Sequence, residues 1–179
     1  MSCRVYLSGK MSNRYVEDVR SERRRATEEL AKYKMRAVDP AAAEEKLWPK
    51  HKKAKISTTF KRKIMDIMVW HDLWLIRRCD VMLVLTGDVV SEGTLLEWRY
   101  AQNIGIPVVM IAPERAKGNF MGWINILIPP DHMFPDLKSA VRFIHKKYAK
   151  EYLQHHEYFA AAIKNNKSHK HVVNKKKRG

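Results

Sequence analysis

The feature that most constrains the fold is an apolar run that ends in a short polar loop. Residues 80–86 read Asp-Val-Met-Leu-Val-Leu-Thr and are nearly all apolar, which is typical of a parallel strand covered by helices on both faces. A loop containing Ser91 and Gly93 follows, and an amphipathic stretch then continues to Ile104. The pattern predicts a buried strand that leads into a helix, with the carboxylate of Glu97 in the first two turns of that helix.

The rest of the chain alternates predicted strands with predicted helices. Further strands are predicted at residues 4–8, 35–38 and 107–111 and within 120–128. Helices are predicted from a cap at Ser12 or Asn13 to about residue 34, and over residues 57–78, 92–104 and 135–152, with one or two helical turns within 41–47. Because such alternation forms right-handed βαβ units, we predict an α/β fold: a small doubly wound, Rossmann-like or flavodoxin-like parallel sheet of four to five strands flanked by helices.

The chain is expected to form one domain over residues 1–163, followed by a basic tail over residues 164–179. A chain of 179 residues is long enough for one domain with a sizeable core. Of the net charge of +16, seven positive charges lie in the tail, which carries no acidic residue. Such a segment buries too little apolar surface to offset its chain entropy, so we expect a disordered tail that contacts nucleic acid non-specifically.

Composition disfavours membrane, disulfide and metal-dependent classes. No apolar run reaches the roughly 20 residues needed to span a bilayer, and residues 1–6 lead directly into a strand, so neither a membrane partner nor a signal peptide is expected. Cys3 and Cys79 are expected to be buried thiols, and no metal-ligand spacing or cofactor motif is present. The expected location is the cytoplasm, or the nucleus if the basic run at residues 175–178 is a targeting signal.

Three of the predicted strands end at the same edge of the sheet. In an open α/β sheet, ligands bind in the crevice beyond the carboxyl ends of the strands. The groups placed there are Tyr6, Ser8, Gly9 and Lys10 on the first strand, residues 86–93 after the third, and residues 112–115 after the fourth. Because Ser91 lies at a predicted helix start, its hydroxyl and the following amides are candidates for holding a phosphate, and a plain N-cap is the alternative.

Two carboxylates lie near this edge. Glu97 alone is explained by a favourable interaction with the helix dipole. Asp72 interrupts a helix of large apolar residues, and an unpaired buried charge is costly, so its presence needs a reason. Trp70 and Trp74, four residues apart on that helix, are predicted to lie in the core. A pair of carboxylates that flanks a glycosidic bond is the usual arrangement for cleaving it, and Tyr6 is placed to orient Glu97.

A set of short motifs between residues 4 and 112 occurs in a characteristic order. The motifs are Val5-Tyr6-Leu7-Ser8-Gly9, Asp72-Leu73, Ile76, Asp80-Val81-Met82-Leu83, Ser91, Gly93, Glu97, Tyr100-Ala101, Gly105 and Pro107-Val108. Together they resemble the nucleoside 2-deoxyribosyltransferase superfamily, and within it most closely the (deoxy)nucleoside 5'-monophosphate N-glycosidases. The segment from Gly93 to Glu97 also resembles the Gly-Thr-x-x-Glu element of cytokinin-activating phosphoribohydrolases, whose Pro-Gly-Gly is missing here.

The resemblance implies roles for individual residues. Glu97 matches the nucleophile that attacks the sugar C1', Tyr6 the residue that positions it, and Asp72 the acid that assists the departing base. Ser91 stands where the transferases usually have an aspartate that binds the sugar 5'-hydroxyl, and a serine there suits a 5'-phosphate. The remaining residues of the implied substrate-binding set are Ser8, Gly9, Lys10, Gly93 and Thr94.

The sequence therefore predicts a hydrolase that cleaves a nucleoside 5'-monophosphate into free base and (deoxy)ribose 5-phosphate. A homodimer or higher homo-oligomer without a cofactor is implied by the resemblance. One alternative is a nucleoside 2-deoxyribosyltransferase that moves deoxyribose between bases. A second is a non-catalytic nucleotide- or nucleic-acid-binding module, suggested by the basic tail and by the basic residues between 50 and 63.

Overall fold

Five parallel strands form the sheet of this protein in a computed structural model, which describes residues 2–47, 50, 53–56, 62–85, 91–112 and 128–150. The strands are β1 (Arg4–Ser8), β2 (Arg36–Val38), β3 (Val81–Leu85), β4 (Val108–Ile111) and β5 (Met133–Phe134). They are hydrogen-bonded in the order β2-β1-β3-β4-β5, and every pair is parallel. The predicted doubly wound α/β sheet is confirmed, and its strand order reverses between β1 and β3, where such folds bind ligands.

Helices cover both faces of the sheet. They are α1 (Val16–Ala31), α2 (Ala41–Glu44), α3 (Arg62–Ile76), α4 (Glu92–Asn103) and α5 (Leu137–Ile144). A short 3-10 turn, Glu45–Leu47, extends α2, another, Pro130–His132, precedes β5, and a π-helical turn, His145–Ala149, follows α5. None of the described helices is long and apolar enough to cross a membrane.

Residue alternation along the strands separates two cores. Val5 and Leu7 of β1 pack in one cluster with Leu30 of α1 and Val141 of α5. Tyr6, the residue between them, packs in the other cluster with residues of α3 and α4. Because successive strand residues point to opposite faces, Ser8 shares the α3/α4 face with Tyr6. This alternation is what brings the polar groups of β1 toward α4.

The start of α1 differs from the prediction. Its N-cap is Tyr15, which makes no side-chain capping bond, so the predicted cap at Ser12 or Asn13 is wrong. The segment before the helix is paired instead with the backbone around Ile56: the amide of Asn13 donates to the carbonyl of Ile56 at 3.0 Å, and that of Ile56 donates to Arg14 at 2.9 Å. Asn13 turns the chain there with a φ of 60°.

One prediction about the apolar residues is wrong. Trp70 and Trp74 are 73% and 51% exposed, because α3 packs on the sheet side through Ile76 and leaves these rings on its outer surface. The fifth described strand is Met133–Phe134, and the strand predicted within residues 120–128 lies outside the described residues except for residue 128. Predicted features at residues 57–61, 86–90, 113–127 and 151–179, including the basic tail at 164–179, lie outside the described residues.

The two cysteines are buried and free, as expected. Burial raises the pKa of each thiol to about 12, so both are neutral and unreactive at physiological pH. Within the described part of the chain, no group of three or more His, Cys, Asp or Glu side chains is arranged to hold a metal ion.

Candidate functional site

The carboxylate of Glu97 is held by two hydroxyl groups of β1. The hydroxyl of Tyr6 donates a hydrogen bond to Oε1 of Glu97 at 2.8 Å, and the hydroxyl of Ser8 donates to Oε2. On α4, Thr94, Trp98 and Ala101 form the buried stripe, and Glu97 lies beside it on the side toward β1. The structure thus brings together three of the predicted site residues at the point where the strand order reverses.

Both donors are fixed in the interior of the protein. Tyr6 and Ser8 have no exposed surface, so their hydroxyl positions are set by the packing of β1 between its neighbouring strands. Burial, followed by the charge of Glu97, raises the pKa of Tyr6 well above its usual value. The phenol therefore stays protonated and serves as a permanent donor to the carboxylate.

The environment raises the pKa of Glu97 to about 7. Burial is the largest cause, and the charge of Asp72 adds to it, while the hydrogen bonds from Ser8 and Tyr6 and the charge of Arg23 act in the opposite direction. A carboxylate with little hydration is a more reactive oxygen nucleophile than a solvated one, and the two donors fix its orientation. It is ionised once the pH exceeds about 7.

Asp72 reaches the same site from α3. Its side chain is 14% exposed, and its Oδ1 lies 3.4 Å from Nδ1 of His71. Burial raises the pKa of Asp72, whereas the contact with His71 lowers it. Because the charge of Asp72 affects the pKa values of Glu97 and Tyr6, the three groups form one electrostatic cluster. Asp72 therefore lies within electrostatic reach of Glu97, and its side-chain contact among the described residues is with His71.

The loop after β1 is shaped by close backbone packing. A Cβ atom at Gly9 would lie 2.6 Å from the carbonyl oxygen of Leu85, so only glycine fits where the ends of β1 and β3 meet. Lys10 is partly exposed, and its carbonyl oxygen accepts a hydrogen bond from the guanidinium of Arg14 at 3.2 Å. Gly9 is thus required by the fold, whether or not a ligand approaches it.

Ser91 caps α4. Its hydroxyl oxygen accepts a hydrogen bond from the amide of Thr94 at 3.3 Å and lies 3.0 Å from the hydroxyl of Thr94. The plain capping interpretation therefore accounts for Ser91 in the structure without a ligand. Gly93 is exposed, and the nearest atom to an added Cβ would be the Ser91 hydroxyl at 4.0 Å, so packing does not explain the glycine.

Arg23 is a buried residue of the site that the sequence interpretation missed. It is 4% exposed, and its guanidinium donates to the carbonyl oxygens of Leu7 at 3.1 Å and Gly9 at 3.2 Å and to Oδ1 of Asp39 at 2.5 Å. A signal for it exists in the sequence, because Arg23 occupies one position of the buried stripe of α1. It fixes the loop after β1 and supplies positive charge near Glu97.

Glu44 is a second missed residue. It ends α2, is only 6% exposed, and has its pKa raised to about 8 by burial and by the charge of Asp72. The run of alanines before it gives no sequence signal of burial, because a short helix with one glutamate is typical of a solvated turn. Together with Glu97 and Asp72 it forms a set of three buried or partly buried carboxyl groups.

This arrangement suits nucleophilic and acid–base chemistry at an electrophilic carbon. One carboxylate is oriented by two donors, and burial raises the pKa values of the carboxyl groups of Asp72 and Glu44. Paired carboxyl groups of this kind perform the two halves of glycoside cleavage, with one as nucleophile and one as acid. Residues 86–90, which precede Ser91, lie outside the described residues.

Residues 3–110 match the family described as "Domain of unknown function (DUF4406)". This match covers more than half of the chain and includes β1 to β3 and most of β4, and hence the elements that carry Tyr6, Ser8, Asp72 and Glu97. No protein of curated function is similar enough to the chain to match.

One solved structure shares the fold of this chain, and two others superpose on it less closely. A 2-deoxyribosyltransferase from Bacillus psychrosaccharolyticus superposes with a TM-score of 0.54 at 17% identity, covering 78% of this chain and 90% of the other. A CMP N-glycosidase from Clostridium botulinum superposes with a TM-score of 0.47 at 15% identity, covering 79% of this chain and 96% of the other. A conserved protein from Enterococcus faecalis V583 superposes with a TM-score of 0.46 at 16% identity, covering 83% of this chain and 89% of the other. The expected resemblance to the nucleoside 2-deoxyribosyltransferase superfamily is confirmed at the level of the fold.

Proposed function

The chain belongs to the DUF4406 family of unknown function, and from that premise we propose that it is an enzyme that cleaves the N-glycosidic bond of a nucleoside 5'-monophosphate. The observation that carries the proposal is the Glu97 carboxylate held by the hydroxyl groups of Tyr6 and Ser8. A merely structural glutamate on a surface helix has no need of two buried donors. The shared fold with a 2-deoxyribosyltransferase supports the same class of chemistry.

In the first step, Glu97 attacks the sugar C1' and forms a glycosyl ester, while the C1'–N bond breaks and its electron pair goes to the base. Asp72 gives a proton to the departing base or holds it by a hydrogen bond. In the second step, water attacks C1', and its proton goes to a neighbouring carboxylate. The ester opens, (deoxy)ribose 5-phosphate leaves, and Glu97 is restored as a carboxylate.

A monophosphate substrate is supported by the charges around the site. Ser91 is neutral and lies at the N-terminus of α4, where amide groups and the helix dipole favour an anion. The proposed phosphate site also includes Gly9 and Lys10 after β1, and Gly93 and Thr94 in the first turn of α4. Ser8, which the sequence assigned to substrate binding, is buried and donates its hydroxyl to Glu97, so its proposed role is to position that carboxylate. An aspartate in place of Ser91 would repel a phosphate but accept a hydrogen bond from a free 5'-hydroxyl.

The test is a measurement of base release from a panel of nucleosides and nucleoside 5'-monophosphates. We expect base from monophosphates only, and loss of release in Glu97→Gln but not in Glu92→Gln, an exposed control on the same helix. Ser91→Asp keeps a capping side chain and should shift preference toward nucleosides. Transfer of the sugar to a second base would instead establish a transferase. Salt-sensitive nucleic-acid binding with no release of base would establish a binding module.

A homo-oligomer is part of the proposal. The outer surface of α3 exposes Ile67, Val69, Trp70 and Trp74, at 46–73% each, on the helix that carries Asp72. Clusters of exposed apolar side chains mark association surfaces, and a second copy of this chain is the proposed occupant. Sedimentation should show a dimer or larger assembly, and Trp70→Glu should weaken it. A monomer at micromolar concentration would contradict this part of the proposal.

A further inference from the structure

We propose that the ion pair between Arg23 and Asp39 positions the nucleophile of the reaction by clamping the backbone on both sides of Ser8. This inference rests on the proposed N-glycosidic cleavage and adds two residues to it. Arg23 and Asp39 are positioning residues in this role, because they act on the substrate only through Ser8 and Glu97. Neither residue lies in a motif that marks the site in the sequence.

The guanidinium of Arg23 spans the residue whose hydroxyl binds the nucleophile. Its Nη1 donates to the carbonyl oxygen of Leu7 at 3.1 Å, and its Nη2 donates to that of Gly9 at 3.2 Å. Ser8 lies between these two residues, and its hydroxyl donates to Oε2 of Glu97. One side chain therefore holds the backbone before and after Ser8, which restricts where the Ser8 hydroxyl can lie.

Asp39 holds the guanidinium in place. Its Oδ1 accepts from Nη1 of Arg23 at 2.5 Å, and the same oxygen accepts from the amide of Ala41 at 3.0 Å. Asp39 directly follows β2, which pairs in parallel with β1, so this carboxylate lies at the same sheet edge as the end of β1. Contacts on three sides thus fix the planar guanidinium group, and its direction is set by the fold.

The two donors to Glu97 differ in how their positions are fixed. The ring of Tyr6 packs in the apolar cluster on the α3/α4 side, and Tyr6 pairs with both β2 and β3. Ser8 has a short side chain and is the last residue of β1, so the chain leaves the sheet directly after it. Arg23 therefore supplies, at the end of the strand, the fixation that packing and strand pairing supply for Tyr6.

An ion pair at this position is not explained by packing alone. Arg23 is 4% exposed and lies in the buried stripe of α1, where Val19, Ala26 and Leu30 are apolar. A buried ion pair contributes little net stability compared with apolar side chains of similar size. An apolar side chain would fill the same space on α1, but it would leave the carbonyl oxygens of the loop without these donors.

Arg23 also acts on the carboxyl group of Glu97 through its charge. The titratable groups that bear on Glu97 come from four other elements: Tyr6 of β1, Arg23 of α1, Glu44 of α2 and Asp72 of α3. Burial raises the pKa of Glu97 to about 7, whereas the hydrogen bond from Ser8 and the charge of Arg23 lower it. Lysine separates the two effects of Arg23, because it keeps the charge but not the planar fork that reaches both carbonyl oxygens.

The titration of Glu97 in the full-length protein tests the clamp without requiring activity. In spectra of protein labelled with ¹³C-glutamate, the resonance missing from Glu97→Gln identifies the Glu97 carboxyl group. Arg23→Lys should raise its pKa although the charge is kept, because the Ser8 hydroxyl is no longer held against it. Ser8→Ala should raise the pKa as well, and Arg23→Lys should add nothing in that background. Arg24→Lys, at the exposed neighbouring arginine, should match the wild type.

The kcat for base release at saturating nucleoside 5'-monophosphate tests the same coupling. Arg23→Lys and Ser8→Ala should each lower kcat about 10-fold, the loss expected for a hydrogen bond to a charged group. The double variant should remain near 10-fold rather than 100-fold. Asp39→Asn keeps the shape of the pair but not its charge, and it should lower kcat in the wild type but not in Ser8→Ala. Urea unfolding of each variant confirms that folded protein is compared.

Two results would overturn the role of the ion pair. One is a Glu97 pKa in Arg23→Lys equal to that of the wild type. The other is a double variant in which the losses of kcat multiply to about 100-fold, since Arg23 would then act independently of Ser8. Absence of base release by the wild type would overturn the proposed function instead, and the titration of Glu97 would still decide whether Arg23 acts through Ser8.

Discussion

The two faces of the sheet bury different kinds of side chain. On the side of α1 and α5, β1 and β3 present Val5, Leu7 and Leu83, and these are covered by apolar helix residues. On the side of α3 and α4, β1 presents Tyr6 and Ser8, whose hydroxyl groups hold a carboxylate beside the apolar core of that face. The same strand therefore serves packing on one side and polar positioning on the other.

The two sides of the sheet also differ in how many large apolar side chains their helices leave exposed. Among the described residues, the large apolar side chains that remain exposed lie on or next to α3 and α4, with Tyr15 as the exception. The α1/α5 side has a closed core, whereas the α3/α4 side combines buried carboxyl groups with open apolar surface. Stability and proposed function are thus divided between the faces, and variants on each should affect different measurements.

The largest expected effect is on activity and comes from the α3/α4 side. Glu97→Gln keeps the size of the side chain but removes the nucleophile, so kcat for base release should fall by at least about 10³-fold.

The same substitution should raise the free energy of unfolding at alkaline pH. A carboxyl group whose folded pKa is raised to about 7 costs stability as pH rises from about 4.5 to 7, so the variant should be more stable than the wild type at pH 8 and similar to it at pH 4. If Glu97→Gln were less stable than the wild type at pH 8, the α3/α4 side would contribute to stability as well as to activity, which would contradict the proposed division between the two sides of the sheet.

The next effect is on stability and comes from the α1/α5 side. Leu83 is fully buried, and Leu83→Ala should lower the free energy of unfolding in urea by about 2–5 kcal/mol. Leu96→Ala, at a side chain of α4 that is 67% exposed, should change it by less than about 0.5 kcal/mol. The remaining folded Leu83→Ala protein should keep its kcat. A kcat loss larger than the loss of folded protein would show that the two faces are coupled.

A smaller effect is expected from the link between β1 and α4. Tyr6→Phe keeps the buried ring but removes the donor to Glu97, and a hydrogen bond to a charged group contributes about 1.5–3 kcal/mol, so activity should fall about 10- to 100-fold. Because the Tyr6 bond lowers the pKa of Glu97, its removal should move the acidic limb of the pH–rate profile to higher pH. If the acidic limb of the pH–rate profile were at the same pH in Tyr6→Phe and in the wild type, Glu97 would not be the group whose ionisation produces that limb.

The smallest effect concerns Gly93 in the first turn of α4 and Gly9 in the loop after β1. Gly93→Ala adds a Cβ with no atom closer than 4.0 Å in a helical turn, so stability should rise by about 0.5–1 kcal/mol. KM for a monophosphate should nevertheless increase, because the added methyl group lies where a phosphate would approach. Gly9→Ala should instead destabilise the protein through the contact with Leu85. Unchanged KM in Gly93→Ala would remove Gly93 from the phosphate site.

Much of the fold follows from the sequence because its signals are local. The apolar run of β3 and the capping Ser91 identify a strand and a helix without knowledge of the rest of the chain. The start of α1 was mispredicted because its neighbour around Ile56 is far away in sequence, and tertiary pairing outweighed two good capping residues. Trp70 and Trp74 were mispredicted because helical spacing shows that two residues share a face but not what covers it.

The site was predictable only in part. Tyr6, Asp72 and Glu97 stood out through an apolar context or through resemblance. The structure joins Tyr6 to Glu97 by a hydrogen bond and puts Asp72 within electrostatic reach of Glu97. Arg23 was detectable in principle from its place in the buried stripe of α1. Glu44 was not, because its burial depends on how α2 packs beyond β2, and no local pattern encodes that.

Trapping the covalent intermediate tests the central claim, that Glu97 is a glycosyl nucleophile, most directly. A 2-deoxy-2-fluoroarabinosyl nucleoside 5'-monophosphate slows hydrolysis of the ester, and mass spectrometry of the acid-quenched protein then locates the adduct. We predict one fluorinated pentose 5-phosphate per chain, on the peptide containing Glu97 and absent from Glu97→Gln. Release of base with no adduct, or an adduct on another residue, would contradict the account.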